Sequence, residues 1–111
     1  MSKATFDDFS KLNICVGEVI RCEPFEKAKK PAYRLWLDLG PEIGEKKSSA
    51  QITALYTPED LLNRQVLCVV NFPPRQVADF ISEVLVLGVY SQDGVVLIQP
   101  DRPVNNGDRL G

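Results

Sequence analysis

The most constraining feature of this sequence is an alternation of apolar and polar residues that begins at Tyr33. Tyr33, Leu35, Leu37 and Leu39 alternate with Arg34, Trp36 and Asp38. Successive side chains of a β-strand point to opposite faces of the sheet, so this pattern predicts a strand over residues 33–39. Trp36 falls on the polar face, where it is either exposed, as single surface aromatics often are, or covered by a loop or partner. We favour the covered position.

Other segments have the apolar character of strands and are separated by turn residues. They are residues 12–22, 48–55, 65–72 and 83–90, and an Asp93-Gly94 turn predicts a hairpin onto residues 95–99. Gly17 breaks the alternation of the first segment and predicts a bulge there. Residues 66–70 and 84–89 are almost continuously apolar, which predicts strands covered on both faces. Residues 40–47 are predicted to be a polar turn.

Two short helices are predicted. Residues 4–10 would form one, capped by Ser2 or Thr5, with Phe6 and Phe9 on one face. Residues 57–63 would form the other, because Thr57 is a good N-cap, proline follows at the first helical position and Asn63 can end the helix in a left-handed conformation.

The order of these elements predicts the fold class. Five strands with a helix between the third and fourth is the arrangement of the OB fold, a small Greek-key barrel. A β-sandwich would need about seven short strands, which this chain barely supplies. We therefore predict an all-β fold, a five-stranded OB-fold barrel with a short N-terminal helix, a short helix between strands 3 and 4, and a C-terminal hairpin extension. Residues 1–111 are expected to form a single domain.

The composition removes several function classes. The chain has no histidine, which excludes a nucleophile paired with an imidazole base and a mixed Cys/His zinc site. Residues 44–48 weakly resemble a phosphate-binding loop but lack its glycine spacing. Cys15, Cys22 and Cys68 show no C-x-x-C spacing and are predicted to be buried free thiols of a reducing cytosol. We predict no catalytic residue, no metal and no cofactor.

The N-terminal residues lack the basic start and apolar stretch of a signal peptide, and no run approaches the ~20 apolar residues of a membrane span. The protein is expected to be soluble and cytoplasmic, without membrane insertion. Its net charge of −2 argues against nonspecific binding of nucleic acid. Residues 27–47, however, carry six basic against three acidic residues, a local +3 that leaves −5 elsewhere. These lysines either gather beside a binding face of the barrel or are ordinary solvated loop charge.

Residues 71–83 are unusually apolar for a connection between strands. They include Phe72, Val77, Phe80 and Ile81, and two consecutive prolines follow Phe72. The segment either closes one end of the barrel or offers an apolar groove for an extended peptide or a stacked nucleotide. The two interpretations do not exclude each other.

Four blocks occur in order along the chain, namely residues 30–40 (KPAYRLWLDLG), 48–53 (SSAQIT), 69–75 (VVNFPPR) and 82–88 (SEVLVLG). Together they resemble the CsaA family of bacterial and archaeal export-related chaperones. That family belongs to the tRNA-binding OB-fold domains that are also appended to methionyl-tRNA and phenylalanyl-tRNA synthetases. The resemblance implies a non-enzymatic homodimer that binds tRNA and unfolded or export-bound polypeptides, and possible contact with the export machinery. The terminal helix and the C-terminal hairpin extension would form the dimer.

The resemblance and the local charge together give two sets of candidate binding residues. The RNA-binding set is Lys29, Lys30, Arg34, Lys47, Ser49, Gln51, Asn71, Arg75, Ser82 and Glu83. The peptide-binding set is Phe72, Pro73, Val77 and Phe80. Arginine can pair with phosphate, and amide side chains can hydrogen-bond base edges.

Three departures from the tRNA-binding pattern favour polypeptide over RNA. Gln76 stands where a second basic residue is common, Asp79 replaces a typical glycine, and the His-Pro-x-Ala-Asp-Lys stretch of the synthetase domains has become residues 23–30. The sequence thus predicts a CsaA-type chaperone that assists protein export and retains a tRNA-binding face. The alternative is a tRNA-binding accessory factor whose chaperone behaviour is incidental.

Overall fold

A computed structural model describes residues 2–111. The helices are α1 (Phe6–Ser10), α2 (Gly40–Ile43) and α3 (Pro58–Leu61). The strands are β1 (Ile14–Pro24), β2 (Tyr33–Asp38), β3 (Glu45–Ala50), β4 (Gln65–Val69), β5 (Arg75–Val77), β6 (Phe80–Ser82), β7 (Leu85–Val86), β8 (Gly88–Ser91) and β9 (Gly94–Leu97). No helix within residues 2–111 is long and apolar enough to cross a lipid bilayer.

The main sheet has the strand order β3-β2-β1-β4-β7, and it curls into a nearly closed five-stranded barrel. The long strand β1 makes this possible, because its first half pairs with β4 and its second half with β2. The alternating leucines of β2 are fully buried inside the barrel, as the sequence predicts. The predicted fold class is therefore confirmed, and so is the hairpin β8–β9 at the Asp93-Gly94 turn.

Capping residues set the helix boundaries. Thr5 and Thr57 each accept a hydrogen bond from the backbone N–H of the third helical residue, whose own aspartate side chain accepts from the backbone N–H of the threonine. These capping boxes satisfy donors that a short helix would otherwise leave free. The predicted helix within residues 57–63 is confirmed, but it is shorter than predicted: it spans Pro58–Leu61, with Thr57 as its N-cap and Asn63 in the left-handed region beyond its end. The first helix begins at Phe6 because Thr5, rather than Ser2, is its cap.

The predicted bulge at Gly17 is wrong. The register of β1 against β2 shifts between Val19 and Arg21, which places the extra residue at Ile20. Gly17 instead packs closely against Leu39, the residue that follows β2, since a Cβ added at Gly17 would lie 3.0 Å from Leu39 Cδ2. The glycine in this strand marks close approach in the core and not an irregular register.

Several predicted boundaries are also wrong. The polar turn at residues 40–47 is the helix α2 followed by Gly44 at φ +81°, so β3 begins at Glu45 and ends at Ala50 instead of spanning 48–55. The strand predicted at 65–72 ends at Val69. The apolar run at 83–90 forms β7 and β8, and it is not covered on both faces because Leu85 and Val89 are 45% and 54% exposed.

The C-terminal segment completes the barrel along the first half of β1. The N–H of Val16 donates to the carbonyl of Asp108 at 2.9 Å, and the N–H groups of Gly107 and Leu110 donate to Val16 and Ile14 at 2.7 and 2.8 Å. Residues 107–110 therefore take the edge of β1 that β2 leaves free. This arrangement has no local signature in the sequence.

Candidate functional site

A groove of about 750 Å³ opens between β3 and β7. Residues 49–52 line one side, residues 85–88 line the other, and the hairpin β5–β6 contributes Arg75, Val77 and Ala78. The apolar part of the lining includes Ile52, Val77, Val86 and Val95. A concave, mostly apolar surface with a few polar groups is the usual form of a binding site.

The groove lies beside a seam at which β3 is bonded to residues 82 and 83, which precede β7. The N–H of Glu83 donates to the carbonyl of Lys47 at 2.8 Å, and the N–H of Lys47 donates back to Glu83 Oε1 at 3.2 Å. The N–H of Ser49 donates to Ser82 Oγ at 3.0 Å. One backbone bond and two bonds to side chains thus hold β3 to residues 82 and 83, and within residues 2–111 no strand ladder joins β3 to β7. Ser82 and Glu83 are engaged in closing the barrel.

Basic side chains form the rim of the groove. Lys29, Lys30 and Arg75 are exposed, and within residues 2–111 none of them takes part in an ion pair. Lys27 differs, because its Nζ lies 2.7 Å from Asp79 Oδ2. The hydrogen bond from this ammonium group holds the pKa of Asp79 below its ordinary value. The rim therefore presents three uncompensated cations beside an apolar floor.

A second basic surface lies on the outer face of β1, β2 and β3. Arg21, Trp36 and Lys47 are neighbours across these strands. The Arg21 guanidinium lies 4.2 Å from the centre of the Trp36 ring, and the Phe80 ring packs edge-on against Trp36 at 5.9 Å. Trp36 is half-buried, so the prediction that it is covered is confirmed. Glu23 accepts from both Arg21 and Arg34, which compensates much of the charge here.

The structure places the predicted residues in several different surroundings. The groove collects Lys29, Lys30, Ser49, Gln51 and Arg75 from the RNA-binding set and Val77 from the peptide-binding set. Arg34 and Lys47 lie on the outer face, whereas Asn71, Ser82 and Glu83 hold backbone groups. Phe72 and Pro73 are exposed but do not line the groove.

Phe80 does not offer the exposed surface expected of it. Its side chain is only 7% exposed and packs with Phe25 and Ala32, with a centroid distance of 5.5 Å between the two phenylalanine rings. The hairpin β5–β6 packs this ring against the barrel. Of the two interpretations of residues 71–83, the one in which the segment closes the barrel therefore applies to Phe80. The groove wall is formed by Val77 instead.

Residues 85–90 contribute to the groove, and nothing in the sequence pattern predicts this role. Leu85 and Tyr90 line the groove, and Tyr90 is 93% exposed. The almost continuous apolar run predicts a strand covered on both faces, but Leu85 and Val89 are exposed. Tyr90, three residues before Asp93, is the one signal in the sequence of an aromatic side chain at this end of the barrel.

Asn71 acts as a clamp between two segments. Its Oδ1 accepts from the N–H of Asn13 at 2.8 Å, and its Nδ2 donates to the carbonyl of Lys11 at 2.7 Å. Both bonds fix the link between α1 and β1. They engage one lone pair of Oδ1 and one N–H of Nδ2, so the amide is held in an orientation set by the link between α1 and β1.

Asn71→Ala is expected to reduce the free energy of unfolding by about 1–2 kcal/mol, because two hydrogen bonds of about 0.5–1.5 kcal/mol each are lost. Urea unfolding monitored by circular dichroism measures this change. The affinity of the folded variant for RNA should stay within about 2-fold of the parent, since Asn71 does not line the groove and its amide is oriented by the link between α1 and β1. Stable protein with a large loss of RNA affinity would instead identify Asn71 as a ligand contact.

No group of three or more histidine, cysteine, aspartate or glutamate side chains is arranged to hold a metal ion in the part of the chain that the structure describes. The three cysteines are free, with Cys15 and Cys68 buried and Cys22 half-buried. Burial raises the pKa of the Cys68 thiol to about 12 and that of Cys22 to about 11. Such thiols are protonated at neutral pH and are poor nucleophiles.

Comparisons with known proteins agree with this architecture. The family model described as "Putative tRNA binding domain" matches residues 14–109. Two solved structures of the chaperone CsaA superpose closely on the chain. The one from Picrophilus torridus is 49% identical with a TM-score of 0.94, covering 98% of this chain and 100% of its own. The one from Bacillus anthracis is 50% identical with a TM-score of 0.93, covering 99% and 100%.

A curated relative places the same domain in a longer protein. Methionine–tRNA ligase of Methanococcoides burtonii is 36% identical over 93% of this chain, but the match spans 15% of the ligase. The match therefore concerns a small part of that enzyme. With the family model covering most of the barrel and two CsaA structures matching it from end to end, the chain belongs to the tRNA-binding domain family and has the CsaA fold.

Proposed function

We propose that this chain is a non-enzymatic chaperone of the CsaA type, which holds unfolded or pre-secretory polypeptides in the cytoplasm and assists their export. The groove between β3 and β7 carries the proposal. Its apolar floor would remove apolar side chains from water, at roughly 25 cal/mol per Å² of buried surface. Few polar side chains line that floor, so many different segments can bind. The CsaA neighbours are themselves described as chaperones.

A second function, tRNA binding, is favoured by the three uncompensated cations on the rim. Phosphate contacts supply most of the affinity for a nucleic acid backbone, and Lys29, Lys30 and Arg75 are free to make them. Ser49 and Gln51 lie beside them and could hydrogen-bond bases or ribose. Arg34 and Lys47 on the outer face would extend the contact. The family to which the chain belongs is named for tRNA binding.

A homodimer is part of the proposal. Phe6 and Phe9 lie side by side on α1 with ring centres 6.4 Å apart, and they are 79% and 39% exposed. Val89 and Val96 on the hairpin β8–β9 are also exposed. Burying these apolar side chains against a second copy would stabilise a dimer. Phe72 and Pro73, which lie outside the groove, remain predicted peptide contacts.

A titration of the full chain tests the two functions against each other. The ligands are total tRNA and a chemically unfolded precursor polypeptide, each at about 0.05 M and about 0.2 M salt. We expect the polypeptide to bind at both salt concentrations. The affinity for tRNA should fall at least about 10-fold at the higher salt concentration, because the release of counterions from the phosphates then contributes less to the free energy of binding. Retained micromolar binding of tRNA without any binding of the polypeptide would overturn the chaperone assignment in favour of a tRNA-binding accessory factor.

A further inference from the structure

One strand edge of the barrel is left open inside the groove. Strands β7 and β8 follow each other with only Leu87 between them, and they pair on one side with β4 and then β9. The N–H of Leu87 donates to Leu67 at 2.9 Å, and the carbonyl of Leu87 accepts from Ile98 at 3.4 Å. Backbone polar groups of successive residues in a strand point to opposite edges. Those of Val86, Gly88 and Tyr90 therefore point away from β4 and β9.

This second edge, formed by Val86, Gly88 and Tyr90, is called the 86–90 edge. No strand within residues 2–111 pairs with it, because β7 is the last strand of its sheet and β8 pairs only with β9. All three residues line the groove. The groove thus presents a row of backbone donors and acceptors that neither β3 nor the hairpin β5–β6 uses.

The 86–90 edge also lacks the usual protection. Natural proteins keep exposed edges from pairing with other chains by placing charged residues, proline or bulges on them. Residues 84–91 read VLVLGVYS and contain no charge and no proline. The groove lining instead carries charge outside this strand, on the rim at Lys29, Lys30 and Arg75. They would attract an acidic segment and would not prevent a strand from pairing.

We propose that the groove binds its polypeptide as an added β-strand, hydrogen-bonded to the 86–90 edge. This inference rests on the proposed polypeptide binding and names the class of segment bound. That class is an extended stretch in which alternate residues are apolar and acidic residues flank the apolar ones. Backbone pairing supplies affinity without regard to sequence, alternate side chains contact Ile52, Val77 and Val95, and the flanking acids approach the basic rim.

RNA fits this edge poorly. Its sugar-phosphate backbone has no alternating row of N–H and C=O groups that would match a strand edge. The rim could still hold phosphates, but the 86–90 edge would then remain without partners. The observations therefore favour a polypeptide at the edge itself.

The test uses a synthetic peptide of about nine residues, long enough to span the edge, with alternating apolar residues and acidic ends. Two further peptides carry N-methyl groups on alternate amides. In the first peptide the methyl groups lie along one edge of the strand that the peptide would form, and in the second they lie along the opposite edge. Only one edge of the peptide can pair with the protein. We expect methylation of that edge to weaken binding about 30-fold or more, and methylation of the other edge to change it by less than about 3-fold.

Amide hydrogen exchange of the full chain locates the pairing. The unmethylated peptide should slow exchange at Gly88 and Tyr90 by at least about 10-fold and leave Leu87, which is already bonded, unchanged. A protein variant adds a second check. Tyr90→Pro removes one N–H donor at an exposed position and should weaken binding more than Tyr90→Ala, which removes only the ring.

The outcomes separate this inference from the proposed function. If no peptide binds and the unfolded polypeptide does not bind either, the proposed function fails. If the peptides bind but both methylated forms bind equally well, polypeptide binding stands and strand addition is overturned. Slower exchange at the 86–90 edge caused by tRNA instead of peptide would overturn it as well. Protection of the Gly88 and Tyr90 amides that rises with protein concentration in the absence of peptide would overturn it too, because a second copy would then occupy the edge.

Discussion

Replacing Gly40 by alanine is expected to lower the free energy of unfolding by about 3–4 kcal/mol. Gly40 has φ +86°, which costs a residue with a side chain about 1 kcal/mol. A Cβ at this position would lie 2.4 Å from the backbone oxygen of Asn106. Since that atom belongs to the backbone, relief of the clash requires the C-terminal segment to move.

Movement of this segment would break interactions that hold it to the barrel. Asn106 Nδ2 donates to Glu18 Oε1 at 3.1 Å, and residues 107–110 make the backbone bonds to β1 described above. Loss of two or three such bonds, each worth about 1 kcal/mol, adds to the cost of the strained backbone.

Gly44→Ala is the matched control for this prediction. Gly44 has a similar φ of +81°, but an added Cβ would have no atom within 4 Å. We expect a loss of about 1 kcal/mol from backbone strain alone. Urea unfolding followed by Trp36 fluorescence measures both variants. Equal losses for the two variants would show that contact between Gly40 and Asn106 contributes nothing to stability.

The parts of the fold that the sequence predicts correctly are those with local causes. The alternation of β2 and the capping box at Thr57 act over a few residues, and both elements occur where expected. The bulge at Ile20 depends on how β1 crosses two partner strands, and no residue at that position marks it. The pairing of residues 107–110 with β1 is a contact between chain ends, which local patterns cannot reveal.

In the candidate site, too, residues marked by a local pattern could be predicted, and residues whose role depends on distant parts of the chain could not. Lys29 and Lys30 could be assigned from a local excess of basic residues, and they do line the groove. Asn71 was chosen from a motif, but its hydrogen-bond partner Asn13 is 58 residues away in the chain. Tyr90 was missed because its importance comes from the open edge of a strand whose pairing is decided by the whole barrel.

Reversing the three cations of the groove rim is expected to reduce tRNA affinity about 1000-fold at low salt. The variant carries Lys29→Glu, Lys30→Glu and Arg75→Glu. Each lost phosphate contact removes about 0.7–0.9 from the slope of log affinity against log salt concentration, so the slope should decrease in magnitude by about 2–3. Titrations with tRNA at several salt concentrations measure both quantities.

The control carries the same number of reversals at exposed positions outside the groove, namely Lys3→Glu, Lys11→Glu and Arg102→Glu. Lys11 and Arg102 have only surface ion pairs, which contribute little to stability. Both variants have equal net charge, so equal losses of tRNA affinity would mean that total charge, and not the groove, governs binding. The rim variant should also lose affinity for the acidic peptide but not for a neutral peptide of the same apolar pattern. That difference arises because apolar burial and backbone pairing do not depend on the rim cations.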